Sequence, residues 1–149
     1  MVERDEQKTL VSLTAADVMT AAPLTCSTFS TALEAVMIFR DADCGAVPIL
    51  EEGKPIAILT DRDIALALAD HPDLVGRPVG EIMTPGLASV APDDTLGHVC
   101  EVLRSQVVRR VLVVDSSGRL LGIIGWADIA PVLSDRVMGR LVTQVVVPS

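Results

Sequence analysis

Aromatic side chains are almost absent from this chain of 149 residues, which has one Trp, two Phe and no Tyr. Proteins that bind single-stranded nucleic acid stack the bases on aromatic rings, and this chain offers no such platform. Its formal net charge of −8 also opposes the approach of a phosphate backbone. We therefore expect no nucleic acid partner, and a core of aliphatic side chains and Met, since 50% of the residues are hydrophobic.

Histidine and cysteine are also scarce, with two and three residues respectively. Cys26, Cys44 and Cys100 show no C-x-x-C spacing, and His71 and His98 give little support for a zinc site. No Ser-His-Asp or Cys-His grouping occurs at a recognisable spacing, so we expect neither a metal centre nor an enzyme. The cysteines are expected to be small buried side chains in a reducing compartment, and a bridge between Cys26 and Cys44 stays open.

Long apolar runs are missing as well. Gly or Asp interrupts the longest apolar stretches, so none approaches the length of a membrane span. The first eight residues carry charges of both signs and lack the apolar segment of a signal peptide. These features predict a cytoplasmic protein without a membrane partner.

What the chain does contain is one pattern that occurs twice. Three segments of the first half recur in the second half at an offset of 64 or 65 residues. The pairs are Asp17–Thr20 with Glu81–Thr84, Val47–Glu51 with Val111–Asp115, and Asp63–Ala65 with Asp128–Ala130. The extra residue falls in a Gly-containing turn, where insertions are tolerated. Three matches in register indicate an internal duplication.

Both copies predict the same order of elements. A helical turn ending at the Met-Thr pair precedes a brief strand, a helix, two strands joined by a turn, and a final helix. The brief strand is expected around Leu24-Thr25 or Ala88-Ser89, and the turn at Gly53 or Gly118. Little polar alternation in the strands is typical of sheets that are covered on both faces.

The middle helix of each copy has a clear start. Thr31 and Glu34 form a capping box in the first copy, and Thr95 begins the helix in the second. The spacing of apolar residues predicts a buried face on the first of these helices. Its members are Ala32, Leu33, Val36, Met37 and Phe39.

The repeats predict five segments along the chain. They are a lead segment 1–13, a first repeat 14–70, a linker 71–78, a second repeat 79–133 and a tail 134–149. The linker is rich in turn formers. The tail places apolar residues at helical spacing, and a helix that packs on the core or on a second subunit explains them equally well.

The segment Ile58–Ile64 carries the main chemical signal. Apolar residues run up to the hydroxyl of Thr60, and the apolar pattern resumes at helical spacing with Ile64, Leu66 and Leu68. This predicts a buried strand that feeds a helix, and the N–H groups at a helix start attract anions.

The side chains of this segment fit a nucleotide. The Thr60 hydroxyl and the Arg62 cation suit phosphate, and the Asp63 carboxylate suits the two adjacent hydroxyls of a sugar. A simpler interpretation needs no ligand, because Thr60 and Asp63 are also spaced like a capping box. One residue can serve both purposes, so both interpretations stay open.

Several segments together resemble the CBS domain. In the first copy they are the Asp17–Thr20 opening, the small-residue run Gly45–Pro48 and the end Leu59–Ile64. In the second copy they are Val108–Asp115, Gly118, Gly122–Ile124 and Asp128-Ile129. The resemblance spans about Ala16 to Val132 and extends to stand-alone CBS pairs such as the hypoxic-response proteins.

The resemblance implies an α/β (α+β) fold, in which two pseudo-twofold-related β-α-β-β-α repeats pack through their sheets. Members of the family bind adenosine-containing ligands in two clefts between the repeats, among them AMP, ADP, ATP and S-adenosylmethionine, and NAD(H) is a further candidate here. Such pairs commonly form homodimers. The ligand is regulatory and no cofactor is implied.

Residue by residue, the family's Thr/Ser-x-x-Asp motif matches Thr60 and Asp63, with Asp61 and Arg62 between them. The resemblance implies that this motif holds ribose and phosphate. The residues that it implies around the base are Thr25, Cys26, Ala46, Val47, Pro48 and Met19.

The second copy departs from the motif, because it has Gly125-Trp126-Ala127-Asp128 at this position. Asp128 can still hold a ribose, but the hydroxyl is absent and the local cation is gone. Arg109 and Arg110 can reach phosphate in either cleft, or lie in solvent. Trp126 can fill a cleft, cover a base or pack at a dimer surface. We therefore expect one good site and a weaker second one at Gly125, Asp128, Arg109 and Arg110.

These observations predict a non-enzymatic regulatory module. It binds an adenosine-containing ligand and signals through its dimer to a protein partner that the sequence does not identify. The alternative is a ligand-free scaffold for dimerisation, in which Thr60 and Asp63 only cap a helix.

Overall fold

The computed structural model of the chain describes residues 2–133, and the tail helix predicted within 134–149 lies outside them. Helices and strands alternate along the chain, which confirms a mixed α/β fold. The described residues form two compact units, one from residues 2–22 and 88–133, and the other from residues 23–87. We call these the composite unit and the continuous unit.

The α-helices are α1 (Val2–Ser12), α2 (Ala15–Val18), α3 (Ala32–Asp41), α4 (Asp61–Ala67), α5 (Leu96–Ser105) and α6 (Trp126–Ile129). Short 3-10 helices cover Leu74–Gly76, Val79–Glu81 and Ala130–Val132. The strands are β1 (Thr20–Ala21), β2 (Cys26–Ser27), β3 (Ala46–Glu51), β4 (Lys54–Thr60), β5 (Ser89–Val90), β6 (Arg110–Val114) and β7 (Leu120–Gly125). The predicted order of elements is confirmed in both copies, with β1 as an additional strand.

The sheet of the continuous unit has the order β2-β3-β4. Strand β2 runs parallel to β3, and β3 pairs antiparallel with β4 through a turn at Glu52 and Gly53, whose φ angles are 52° and 80°. Strand β2 lies at Cys26–Ser27, and the expected position at Leu24-Thr25 is wrong by two residues. The reason is that Cys26 pairs with Ile49 and is buried with it in the core, whereas Leu24 is exposed.

The sheet of the composite unit has the order β1-β7-β6-β5 and repeats this pattern. The parallel pair Val90↔Val113 lies 64 residues beyond the pair Cys26↔Ile49, and the antiparallel strands again follow. In both hairpins the register shifts at the equivalent position, after Ile49 and after Val113. The structure thus bears out the duplication, and β1 is a fourth strand that the sequence pattern did not reveal.

Helix α3 buries a different face from the expected one. Its residues Ala32 and Ala35 are buried, and Ile38 and Phe39 pack against the core of the continuous unit. The prediction was therefore right for Ala32 and Phe39. It was wrong for Leu33, Val36 and Met37, whose exposed fractions are 46%, 38% and 43%. Because α3 is apolar nearly all round, its spacing did not distinguish the two faces.

Helix α4 is shorter and less buried than expected. Ile64 packs against the core of the continuous unit, as predicted. Leu66 and Leu68 are each 60% exposed, and Leu68 lies at the C-cap, beyond the helix end at Ala67. The predicted apolar face of this helix is thus reduced to Ile64.

Arg77 holds the expected linker, residues 71–78, against neighbouring elements of the continuous unit. Its Nε lies 3.1 Å from Asp73 Oδ1 and its Nη1 lies 2.9 Å from Glu81 Oε2. The hydrogen bond from Arg77 lowers the pKa of Asp73. The Arg77 carbonyl also accepts from the N–H of Ala32 at 2.8 Å, which joins the linker to the start of α3.

Helices α3 and α5 end in the same left-handed turn, at Asp43 and Val107. The φ angles of these residues are 49° and 52°. The next residue closes a Schellman turn in each case, since Cys44 N donates to Phe39 O at 3.1 Å and Val108 N donates to Leu103 O at 3.0 Å. A branched side chain fits this conformation poorly, and Val107 is 63% exposed, so little packing offsets its strain.

We therefore predict that Val107→Asn raises the free energy of unfolding by about 1 kcal/mol, because Asn tolerates left-handed backbone. Urea denaturation followed by circular dichroism measures the change. The matched control is Asp43→Val at the equivalent turn, which should lower stability by a similar amount. Equal stabilities for Val107→Asn and the parent chain would contradict the account of strain.

Candidate functional site

The segment Thr60–Asp63 forms a corner between β4 and α4, which we call the first corner. The N–H of Thr60 donates to Asp63 Oδ2 at 2.8 Å, and the N–H of Asp63 donates to Thr60 Oγ1 at 3.1 Å. The sequence interpretation as a capping box is therefore confirmed. In the described part of the chain, Asp63 Oδ1 accepts no hydrogen bond and the proton of the Thr60 hydroxyl has no acceptor.

The other two residues of the first corner differ in their surroundings. Asp61 Oδ1 accepts from the N–H of Arg62 at 2.8 Å, so this carboxylate stabilises the start of α4. The Arg62 side chain is exposed, and it makes no ion pair with residues 7–133, whose side chains the structure describes. Asp61 is in no ion pair there either, so each of the two residues presents a charge without an ionic partner.

The small-residue run lies beside the first corner. The N–H of Asp61 donates to Gly45 O at 3.0 Å, and Ala46 and Pro48 pair with Thr60 and Ile58 across the two strands. These contacts bring one edge of the expected base pocket next to the residues that are expected to bind sugar and phosphate.

Two of the expected base-pocket residues lie in the core. Val47 is fully buried and Cys26 is 4% exposed, and both belong to the apolar cluster of the continuous unit. Their side chains are used in packing, so they can offer a ligand mainly backbone groups. Thr25 precedes β2 and is half-buried, and β3 separates that strand from β4.

The equivalent second corner, Gly125–Asp128, joins β7 to α6 in the composite unit. The N–H of Gly125 donates to Asp128 Oδ2 at 2.8 Å, the same length as in the first corner. Trp126 packs against the core of the composite unit, and its Nε1–H is buried without a hydrogen-bond partner among the described residues.

Thr20 is a residue of the second corner that the sequence analysis missed. Its Oγ1 lies 3.2 Å from Asp128 Oδ1, and β1 carries it there by pairing with β7. The signal was the Met-Thr pair that ends the opening of both copies, but a separation of 108 positions in the sequence hid the contact.

The other residues expected near the second corner lie in the composite unit as well. Arg110 begins β6 and pairs with Gly125 across the two strands, whereas Arg109 is exposed and engaged in another interaction. Met19 was expected around the base of the first site; it packs against the core of the composite unit, and a side chain at Gly122 would collide with its Sδ.

The three cysteines are free thiols, so the open question of a bridge between Cys26 and Cys44 is answered. Burial raises the pKa of the Cys26 thiol, and it raises the pKa of Cys100 to about 11. Cys44 is less buried than either.

A search of the described residues found no group of three or more His, Cys, Asp or Glu side chains arranged to hold a metal ion. The helices of the described region are all too short or too polar to cross a membrane.

The fold and the corners define a class of protein: a tandem pair of small α/β units, each with an acidic residue in the first turn of the helix that follows its hairpin. Residues 15–70 and 79–135 match the CBS domain. The chain therefore belongs to the CBS domain family and carries two copies of the domain.

Two curated relatives are similar over most of their length. The chain is 33% identical over 114 residues to the CBS domain-containing protein YhcV of Bacillus subtilis. This alignment covers 76% of this chain and 81% of YhcV. It is 31% identical over 137 residues to Hypoxic response protein 1 of Mycobacterium tuberculosis. This second alignment covers 91% of this chain and 95% of the relative.

Two solved structures share the fold. Hypoxic Response Protein I with two coordinated zinc ions has a TM-score of 0.73 at 31% identity, and the match covers 82% of this chain and all of that one. The CBS domain pair of protein MJ0100, in complex with 5′-methylthioadenosine and S-adenosyl-L-methionine, has a TM-score of 0.72 at 29% identity. That match covers 86% of this chain and 97% of the other.

We predict that Cys44 reacts first with a thiol reagent such as DTNB at pH 8 in the folded protein. A thiol whose pKa is about 11, as for Cys100, is ionised to only roughly 0.1% at this pH, and only the thiolate reacts. Peptide mapping after brief labelling identifies the site, and labelling in guanidinium should reach all three cysteines. Rapid labelling of Cys26 in the folded state would contradict its burial.

Proposed function

We propose that this protein is a non-catalytic sensor that binds an adenosine-containing ligand at the first corner and signals through a homodimer to a protein partner in the cytoplasm. The observation that carries the proposal is that the two carboxylate oxygens of Asp63 have different roles. One carboxylate oxygen is fixed by the N–H of Thr60 at 2.8 Å, and this bond holds the other oxygen in a defined position.

Capping and ligand binding are compatible at this corner. Thr60 Oγ1 accepts from the N–H of Asp63, so its own proton can still be donated to a phosphate oxygen. Asp63 Oδ1 can accept from a ribose hydroxyl, and Arg62 supplies a cation for phosphate. The corner thus offers one group for each polar part of a nucleotide while the helix stays capped.

The choice of ligand class has support from a relative. The CBS domain pair of MJ0100 binds two adenosine derivatives, 5′-methylthioadenosine and S-adenosyl-L-methionine. We extend this class to AMP, ADP, ATP and NAD(H), because Arg62 favours ligands that carry phosphate.

The homodimer is proposed from the exposed face of α3. Leu33, Val36 and Met37 follow one another at helical spacing and form one apolar stripe in solvent. In α5 the position equivalent to Leu33 is Gly97, which lies against α1, since a Cβ atom there would be 3.2 Å from Leu10 O. A contiguous apolar patch of this kind marks an interaction surface.

The ligand-free scaffold is the second candidate, and it is favoured by one observation: the capping box at Thr60 and Asp63 is complete without a ligand. Thermal shift separates the two functions. A sensor gains melting temperature when AMP, ATP, NADH or S-adenosylmethionine is added, whereas a scaffold does not.

We predict that Asp63→Asn weakens AMP binding by about 1–3 kcal/mol, since the charge-assisted bond to ribose is lost. The Asn oxygen can still accept from Thr60, so the fold should persist. Calorimetry measures the affinity. The matched control is Glu34→Gln, because Glu34 caps α3 in the same way, with the N–H of Thr31 at 3.3 Å from its Oε2. Equal affinities for both variants would contradict a ligand role for Asp63.

We also predict that the double variant Val36→Glu, Met37→Glu is monomeric, because two charges would be buried in the proposed dimer surface. Light scattering coupled to size-exclusion chromatography measures the mass. Val11→Glu is the control, since Val11 is an exposed apolar residue of α1. A dimeric double variant would place the subunit contact elsewhere.

A further inference from the structure

Helix α1 lies on a part of α5 whose counterpart in the first copy is exposed. A Cβ atom built on Gly97 of α5 would lie 3.2 Å from Leu10 O and 3.6 Å from Leu10 Cβ of α1. We call this part of α5 the Gly97 surface. The equivalent residue of α3 is Leu33, which is 46% exposed among the described residues. The first repeat therefore shows that a helix at this place keeps its fold without a covering helix.

The chain is attached more firmly just after α1 than along it. The structure describes the α1 side chains of residues 7–12, and none of the six is fully buried. Among them Leu10 packs against the core of the composite unit, whereas Val11 is 70% exposed. By contrast, Ala15 is fully buried, and its N–H donates to Asp94 O at 2.8 Å. The contact of α1 can therefore open while the chain from Ala15 onward stays in place.

We propose that the Gly97 surface is a docking surface for a helix of the protein partner, and that α1 is a releasable helix that occupies it in the free protein. This inference rests on the proposed function, because it assigns a surface to the partner invoked there. An isolated helix of 11 residues is marginal in water, so α1 depends on its contact with α5. The contact is autoinhibitory, since the partner helix and α1 exclude each other.

Helix α1 itself shows which kind of partner fits the surface. Leu10 and Leu13 lie three positions apart, and both pack against the core of the composite unit. The N–H of Leu13 donates to Thr9 O at 3.2 Å, which continues the helical pattern to this residue. Gly97 admits the backbone of the covering helix at close range. The surface therefore suits an amphipathic helix with leucines three positions apart, bound through its apolar face.

The tether of α1 sets a threshold for the partner. Leu13 is joined to the start of α5 by the bond from Leu96 N to Leu13 O at 2.8 Å, so a released α1 stays next to its docking surface. A segment tethered at such short range has an effective concentration on the order of millimolar. A partner helix therefore binds only when its own contacts with the surface are stronger than those of α1.

Hydrogen exchange of the full chain, measured by mass spectrometry, tests the release of α1. We expect the amides of residues 2–12 to exchange about tenfold faster in Leu10→Asp than in Val11→Asp, because local opening sets their rate. The two variants place the same charge on neighbouring residues of one helix, and only Leu10 packs against the core. Equal exchange in both variants overturns the proposal. Faster exchange of residues 99–105 in Leu10→Asp also overturns it, because α5 would then unfold together with α1.

A synthetic peptide with the sequence of residues 1–13, labelled with fluorescein, represents the partner helix. Fluorescence anisotropy should show binding to full-length Leu10→Asp about tenfold tighter than to the parent chain, because the tethered α1 no longer competes. Adding Gly97→Leu should abolish this binding, and circular dichroism should show an intact fold, since α3 carries Leu33 at the equivalent position. A control peptide with Leu10→Asp should not bind.

The outcomes separate this inference from the sensor. Equal peptide binding to Leu10→Asp and to the parent chain overturns the autoinhibitory role of α1. Binding that survives Gly97→Leu, or no binding at millimolar peptide, overturns the docking surface. Calorimetry with AMP on Leu10→Asp reports on the first corner alone and should give the parent affinity. AMP binding without peptide binding leaves the sensor standing, and peptide binding without AMP binding overturns the sensor and leaves the docking surface.

Discussion

The hydrogen bond from the last strand residue to the carboxylate three residues later is the constraint on which both candidate sites depend. It measures 2.8 Å between Thr60 and Asp63 and again between Gly125 and Asp128. The bond satisfies an N–H that a helix start otherwise leaves unpaired, and it orients the carboxylate. Because only one oxygen is needed for the cap, the other can take a second partner, which is the Thr20 hydroxyl at Asp128 and, in the proposed function, a ligand at Asp63. In that proposal one carboxylate serves both the stability of the helix and the binding of the ligand.

The duplication allowed the two corners to diverge around this shared bond. Helix α4 begins beside a hydroxyl and a cation from its own segment, whereas α6 begins beside a hydroxyl from β1 and an arginine from β6. In a sheet either of two paired strands can supply the larger side chain at such a corner, because residues that pair across the strands lie close together. Gly125 and Arg110 are such a pair, as are Thr60 and Ala46.

Much of the fold followed from the sequence, because the relevant signals are local or repeated. The hairpins, the capping boxes at Thr31 and Thr60 and the equivalent registers of both copies were all foreseeable. The contact between Thr20 and Asp128 was not, since it joins distant parts of the chain through a strand of only two residues. Strand β1 is also exposed on both residues, so it lacks the apolar pattern that reveals longer strands.

The error in the buried face of α3 has a physical origin that bears on the proposed dimer. Apolar spacing shows which residues avoid water, but it does not show what covers them. In α5 the face equivalent to Leu33 carries Gly97, and a Cβ atom there would lie only 3.2 Å from Leu10 O of α1. Glycine thus admits a covering helix, and leucine at this place excludes one at the same distance. Among the residues that the structure describes, the apolar stripe of the first copy stays exposed, and the homodimer proposed above would cover it with a second copy.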